Sequence, residues 1–161
     1  MNRASKATAI GVLMILMLAT AAQAQSIVGV WKVTEETTTG EKGKTRAISQ
    51  PSLFIFTKGH YSIMWITSDK ERPIVDARTV SADELRSIYV DSFVANSGKY
   101  DYIRGNLSLW PSVAKSPSYM HGGSYVTHKV KITGKTMTMT SVESQGYPVR
   151  NPTTLKLTRV E

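Results

Sequence analysis

Cysteine is absent from all 161 residues. The fold must therefore hold together without disulfides, and a bacterial-type lipid anchor, which needs a cysteine after a leader, is excluded. Histidine is scarce: His60, His121 and His128 are the whole set. No two of them have the spacing of a metal motif such as H-E-x-x-H, so neither a structural nor a catalytic metal is expected. The G-x-S-x-G nucleophile elbow is also missing. Asp83-Glu84 stands where it caps a helix and does not form an acid/base dyad, and Asp101 has no visible partner. No catalytic motif stands out and no cofactor is implied. Lysines and arginines are scattered, without the basic patch that nucleic-acid binding needs. There is no internal repeat and no low-complexity tract. The longest apolar run, residues 9–22 (AIGVLMILMLATAA), falls short of the about 20 residues that span a bilayer.

That run has the make-up of a secretory leader. Arg3 and Lys6 precede it, and Ala22-Gln23-Ala24 follows with small residues at the two positions a signal peptidase reads. The expected division is a signal peptide over residues 1–24, cleaved before Gln25, and one folded domain over 25–161 with no membrane span. Such a chain is periplasmic or secreted, and the lack of cysteine suits a bacterial periplasm. Arg3 and Lys6 supply two of the formal +8, leaving +6 on the mature chain. Spread over a surface, that charge serves solubility or weak attraction to an anionic envelope.

The remaining chain is punctuated into short β-prone runs, organised around residues 50–68 (QPSLFIFTKGHYSIMWITS). A turn at Lys58-Gly59 places Phe56 opposite Tyr61, Phe54 opposite Ile63 and Ser52 opposite Trp65 on one face. Leu53, Ile55, Ser62 and Met64 take the other. Upstream, Ile27, Gly29, Trp31 and Val33 share a face of a first strand, with glycine allowing close backbone approach near the tryptophan. Residues 35–49 hold a second strand or ragged hairpin, or else a mobile loop. Ser81 with Glu84 forms a capping box opening the only good helix signal, which carries apolar residues through Val94 and stops near Asn96-Ser97-Gly98. Residues 99–109 turn at Gly105-Asn106, and 111–123 read as a long irregular loop. Val126, His128, Val130 and Ile132 alternate with polar neighbours up to a turn at Gly134-Lys135, beyond which Met137 and Met139 alternate with threonines. In the last strand Leu155, Leu157 and Arg159 share a face. Eight or nine strands joined by turn chemistry, with one short helix, predict a mainly β protein: an antiparallel up-and-down β-barrel. An open sandwich is the alternative.

Gly29-Val30-Trp31 resembles the G-x-W signature of the lipocalins, and Arg159 takes the place of the arginine that packs across that tryptophan. The run FTKGHYSIMWITSDKERP, the helix after it and FVANSGKY resemble the bacterial lipocalin-like domain proteins, over residues 27–161. The resemblance implies a lipocalin-like barrel whose narrow end is closed by Gly29, Trp31 and Arg159. The chain departs from true lipocalins in lacking their disulfides and in carrying its helix mid-chain. Independently of any family, a guanidinium over an indole is worth about 0.5–2 kcal/mol.

The candidate ligand-binding residues are Phe54, Phe56, Tyr61, Ile63, Trp65, Tyr100, Met120, Tyr125, His128, Met137 and Met139, with Met64 as a further thioether. Aromatic rings and conformable thioethers suit an adaptable apolar cavity, or else they simply fill the core. His128, on an apolar face, is either a neutral imidazole bonded within the barrel, a haem ligand or a general base. Three functions remain open. The first is a binding protein for a small hydrophobic or amphipathic molecule. The others are a barrel-type isomerase or cyclase, and an interaction module with a filled barrel that pairs with another protein or with itself as a homodimer.

Overall fold

The computed structural model describes residues 26–76 and 78–161. The leader expected over residues 1–24 lies outside them. The strands are β1 (Gly29–Thr38), β2 (Thr45–Ala47), β3 (Ser52–Phe56), β4 (His60–Ile66), β5 (Phe93–Ile103), β6 (Asn106–Ala114), β7 (Val126–Thr133), β8 (Thr136–Ser144), β9 (Tyr147–Pro148) and β10 (Thr153–Arg159). Eight of them form a ring, β1-β3-β4-β5-β6-β7-β8-β10, and β10 returns to pair with β1. All pairs are antiparallel, so the molecule is the closed up-and-down barrel that the turn chemistry predicts. Closure removes the free edges an open sandwich would leave. β2 flanks β1 and β9 flanks β8 outside the ring.

The central hairpin has the register read from the sequence: Phe56 opposite Tyr61, Phe54 opposite Ile63 and Ser52 opposite Trp65. Its aromatic face points inward. Phe54 and Phe56 are 1% exposed, whereas Leu53 and Met64 on the other face are 37% and 44% exposed. Trp31, Val33, Leu107, Met137 and Leu157 are fully buried and form the centre of the core. The turn at Gly134-Lys135 is present, but the preceding one lies at Arg104-Gly105, one residue earlier than expected. Both its residues have positive φ (49° and 79°), as a two-residue hairpin turn with the right twist requires.

Two expectations are corrected. The one short helix is present but stops sooner than expected: α1 (Ala82–Leu85) is followed by one π-helical turn, Arg86–Asp91. Ser81 does cap it, its Oγ accepting from the Glu84 N–H at 3.2 Å. Helix expected to reach Val94 instead ends at Asp91, capped by Ser92, whose Oγ donates to the Ser87 and Ile88 carbonyls at 2.8 Å. Phe93 then begins β5, opposite Ile66. The apolar stripe that suggested a longer helix has little to pack on, since only Ile88 is buried while Tyr89 and Val90 are half-exposed. Pairing with β4 on one side and β6 on the other outweighs helix propensity. Asn96-Ser97-Gly98, expected as a helix stop, is mid-strand and holds a β-bulge at Ser97/Gly98. A Cβ on Gly98 would overlap the Trp110 carbonyl, so glycine is required by close backbone approach.

The second correction concerns residues 111–123. β6 runs on through Pro111 to Ala114, and only then comes a 3₁₀ turn, Pro117–Met120. Pairing with β7 covers only Asn106–Leu109. Beyond Leu109 the strand has a neighbour on one side alone, which is where a proline is tolerated.

The connections sort by barrel end. Residues 57–59, 104–105 and 134–135 make tight turns at one end, together with the start of β1 and the finish of β10. The long connections, 67–92 with the helix, 115–125 with the 3₁₀ turn, 145–152 and 39–51, all lie at the other.

Candidate functional site

The tight-turn end is plugged. Trp31 and Arg159 are register partners on β1 and β10, and the guanidinium stands 4.2 Å from the centre of the indole. Arg159 Nη1 donates to the Val28 carbonyl at 2.7 Å and Nη2 to the Ser26 carbonyl at 2.6 Å. Trp31 Nε1 donates to the Ile27 carbonyl at 2.9 Å. Gly29 has φ of +143°, and a Cβ there would overlap the Arg159 guanidinium. Glycine, indole and guanidinium therefore form one unit that satisfies the strand-end carbonyls. The fold is a closed, antiparallel eight-stranded barrel with one end plugged by this unit.

Above this plug the barrel is filled for one layer and then opens. Phe56 packs edge-on to Tyr100 at 5.4 Å and against Tyr61 at 6.4 Å. Tyr100 Oη donates to the Thr57 carbonyl at 2.8 Å. Burial raises the Tyr100 pKa, a shift that the Gly59 backbone opposes. Next comes a cavity of about 340 Å³ reaching toward the long-loop end. Its apolar wall is made by Phe54, Ile63, Leu109, Val126, Met139 and Leu155, drawn from six different strands or strand ends. Lys115, Ser116 and Tyr119 border its mouth. A recess of about 710 Å³ between residues 38–42 and 150–153 lies outside the barrel, and no buried polar atom lacks a partner there. The barrel cavity is the better candidate, because strands on all sides fix its shape.

Polar groups inside the cavity set its chemistry. Tyr61 Oη, Trp65 Nε1 and His128 Nδ1 are buried without a hydrogen-bond partner, and all three residues line this one space. Burial drives the Tyr61 pKa strongly upward, keeping the phenol neutral. Burial also lowers His128 to about 4, the backbone of Leu107 working weakly in the opposite sense. At neutral pH the imidazole is uncharged. Asn96 and Ser141 complete the polar lining; Ser141 is the register partner of His128, and its Oγ accepts from the Thr153 N–H at 3.0 Å.

Six of the residues singled out from the sequence meet on the cavity wall: Phe54, Tyr61, Ile63, Trp65, His128 and Met139. Five lie elsewhere. Phe56 and Tyr100 form the layer beneath, and Met137 is fully buried in the closed core. Met120 is 45% exposed on the 3₁₀ turn. Tyr125 stacks on Trp110, and its Oη donates to Glu143 at 2.8 Å, a bond that raises the tyrosine pKa. Met64 points outward. Phe93, Val94, Ala95 and Asn96 are not legible as wall residues from the sequence, which places them in or beside the helix. The segment 111–123, read there as a loop bordering the mouth, does supply Lys115, Ser116 and Tyr119 at the mouth and Pro111 from the extended β6. The signal for β5 is the alternation Val94, Asn96, Gly98, Tyr100, Tyr102, which puts small and aromatic residues on one face.

The mouth is tied to the helical segment. Lys115 Nζ donates to the carbonyls of Tyr89 and Val90 at 2.8 Å and also to that of Phe93. A cation at the C-terminal end of a helical turn satisfies orphan carbonyls and opposes the local dipole. Arg72, from the long connection, lies with its guanidinium 5.0 Å from the Tyr89 ring centre and 5.5 Å from that of Phe93. Replacing Lys115 with methionine is expected to speed amide exchange across residues 86–92 by about fivefold, equivalent to about 1 kcal/mol of local stability. Global stability should change by less than that. Exchange mass spectrometry with a parallel denaturant melt measures both.

No family model matches the chain, and no curated protein matches it. Similar solved structures include an uncharacterised protein from Bacteroides eggerthii DSM 20697, at 16% identity and a TM-score of 0.44, covering 82% of this chain and 98% of that one. Another is a lipocalin-like protein from Bacteroides uniformis ATCC 8492, at 13% identity and a TM-score of 0.43, covering 82% and 96%. Among the described residues no helix is long and apolar enough to cross a membrane, and no cluster of three His, Asp or Glu side chains is placed to hold a metal ion.

Proposed function

We propose that this chain is an exported binding protein, periplasmic or secreted, that holds a small hydrophobic or amphipathic molecule in the barrel cavity. The observation that carries this reading is the coincidence of an apolar-walled space with three lining residues whose polar atoms are buried and unpartnered. Native proteins leave few such groups unsatisfied, because each costs about 1–3 kcal/mol. Three in one cavity are accounted for by an occupant. The volume lies at the lower end of the range for small-molecule sites, about 300–1,000 Å³. Export rests on the basic start, the apolar run and Ala22-Gln23-Ala24.

A filled barrel acting only as an interaction module fits the cavity poorly. An isomerase or cyclase would need a base with a partner group, whereas His128 Nδ1 has none and is too weakly basic at neutral pH. The test is native mass spectrometry of the protein recovered from the periplasm, followed by thermal shift across a lipid and aromatic panel. A mature chain starting at Gln25 with a co-purifying small mass is expected. A ligand at a hundredfold its Kd should add about 2.7 kcal/mol, several degrees in Tm. Failure to find either a bound mass or a shift would sink the carrier function, and an uncleaved cytoplasmic product would sink export alone.

A further inference from the structure

We infer that the cavity selects an uncharged molecule with hydrogen-bond acceptor oxygens at more than one point along its length, and discriminates against carboxylates and amines. The inference rests on the binding function proposed above and specifies its ligand class. The lining contains no Asp, Glu or Arg. Its one formal cation, Lys115, already donates to three carbonyls at the mouth. A carboxylate drawn inside would meet no counter-ion, and an ammonium would meet no acid, so either would lose its hydration without compensation.

The inward polar groups are instead suited to neutral oxygen. Trp65 Nε1–H is a donor only, and a buried neutral phenol such as Tyr61 has a proton to give. They stand on the same face of β4, four residues apart, with Cα atoms about 13 Å from each other at strand rise. Trp65 is opposite Val94 and Tyr61 is opposite Gly98, deeper toward the plug. His128 comes from β7, beyond β5 and β6 in the ring, so it faces the cavity from another wall. Asn96 adds an amide between the two levels of β4, opposite Ile63. Polar points at two depths and on two walls do not match a single polar head trailing an apolar tail. They match a compact apolar skeleton with carbonyl-type oxygens at two separated points, the donors Trp65 and Tyr61 standing at two depths of the barrel.

The test is a matched series on one three-ring skeleton: anthracene with no oxygen, anthrone with one carbonyl, anthraquinone with two opposed carbonyls, and anthraquinone-2-carboxylate. Isothermal titration at pH 7.5 should rank anthraquinone tightest, about tenfold above anthracene, with anthrone between. The carboxylate should bind at least tenfold more weakly than anthraquinone. Tyr61→Phe and Trp65→Phe should each cost anthraquinone about three- to tenfold while leaving anthracene within twofold of its original value. Tyr61→Phe should also melt at or above the parent temperature, since it deletes a hydroxyl with no partner. Equal affinity for anthracene and anthraquinone, or tightest binding of the carboxylate, overturns the inference while the carrier function stands. A marked fall in the Tyr61→Phe melting temperature also overturns it, because the hydroxyl would then have a partner already. If none of the four binds and no small mass co-purifies, the carrier function fails and takes the inference with it.

Discussion

Replacing Arg159 with methionine is expected to lower the unfolding free energy by about 2–4 kcal/mol. The side chain of methionine covers the Trp31 ring as the arginine stem does, so the change isolates the guanidinium. Lost with it are the cation–π contact at 4.2 Å and the two bonds to the Val28 and Ser26 carbonyls. The contact alone is worth about 0.5–2 kcal/mol, and each bond from a charged donor about 1.5–3. Partial exposure of these groups to water cuts the sum to the quoted range. Arg159→Lys should recover less than half, because an ammonium cannot span both carbonyls while lying flat on the indole. Neither Trp31 nor Arg159 lines the cavity, although Trp31 stands opposite Phe54 of its wall. Any ligand affinity should therefore stay within twofold in Arg159→Met while denaturant midpoints fall. A stability loss under 1 kcal/mol, or a large affinity change, would show that this end of the barrel is not the separate closure unit described.

The contrast between plug and cavity explains which features were legible in the sequence. Alternation with period two assigns a residue to a face, so Phe54, Phe56, Tyr61, Ile63 and Trp65 share one face, in register; which face turns inward is decided only by closure of the ring. The same rule holds for Met137 and Met139, which the structure places beside Leu157 and Leu155. Face, however, says nothing of height along the barrel axis. Phe56, Tyr100 and Met137 point inward one level too deep to reach the cavity, whereas Phe54, Ile63 and Met139 reach it. Height is set by the shear of the closed ring, and that depends on pairings remote in sequence, such as β8 with β10.

β5 was illegible for a different reason. Ile88, Tyr89, Val90, Phe93 and Val94 fit a helical stripe, while Val94, Asn96, Gly98 and Tyr100 fit a strand. Local pattern does not choose between them; the vacant hydrogen-bonding edge of β4 does. Ser97-Gly98 looks like a chain reversal because glycine is usually one. Here it serves the close approach of the Trp110 carbonyl across a bulge. The cost of these two misreadings falls on the site itself, since β5 and the extension of β6 supply the wall beside Trp65 and Tyr61.

The second large effect is acid-dependent and belongs to His128. Its folded pKa is about 4 and its unfolded value about 6.5. Between those values the unfolded chain binds more protons, so stability rises with pH across the window. The contribution is complete above about pH 6.5 and is lost as pH falls toward 4. The full shift would correspond to about 3 kcal/mol; with the ring half-buried beside the cavity, about 1–3 is the expected loss. Carboxylates titrate in part of the same range, so the measurement is a difference. Denaturant melts of the wild type and of His128→Gln at half-unit steps from pH 7.5 to 4 should converge as pH falls, the variant showing the flatter curve. The occupant should report the same proton. Charging His128 puts an unpaired cation against an apolar wall and an uncharged ligand, so binding should weaken over the window in wild type and far less in His128→Gln. Parallel curves for the two proteins would mean that the imidazole reaches water freely, and His128 would then no longer belong to the buried wall of the cavity.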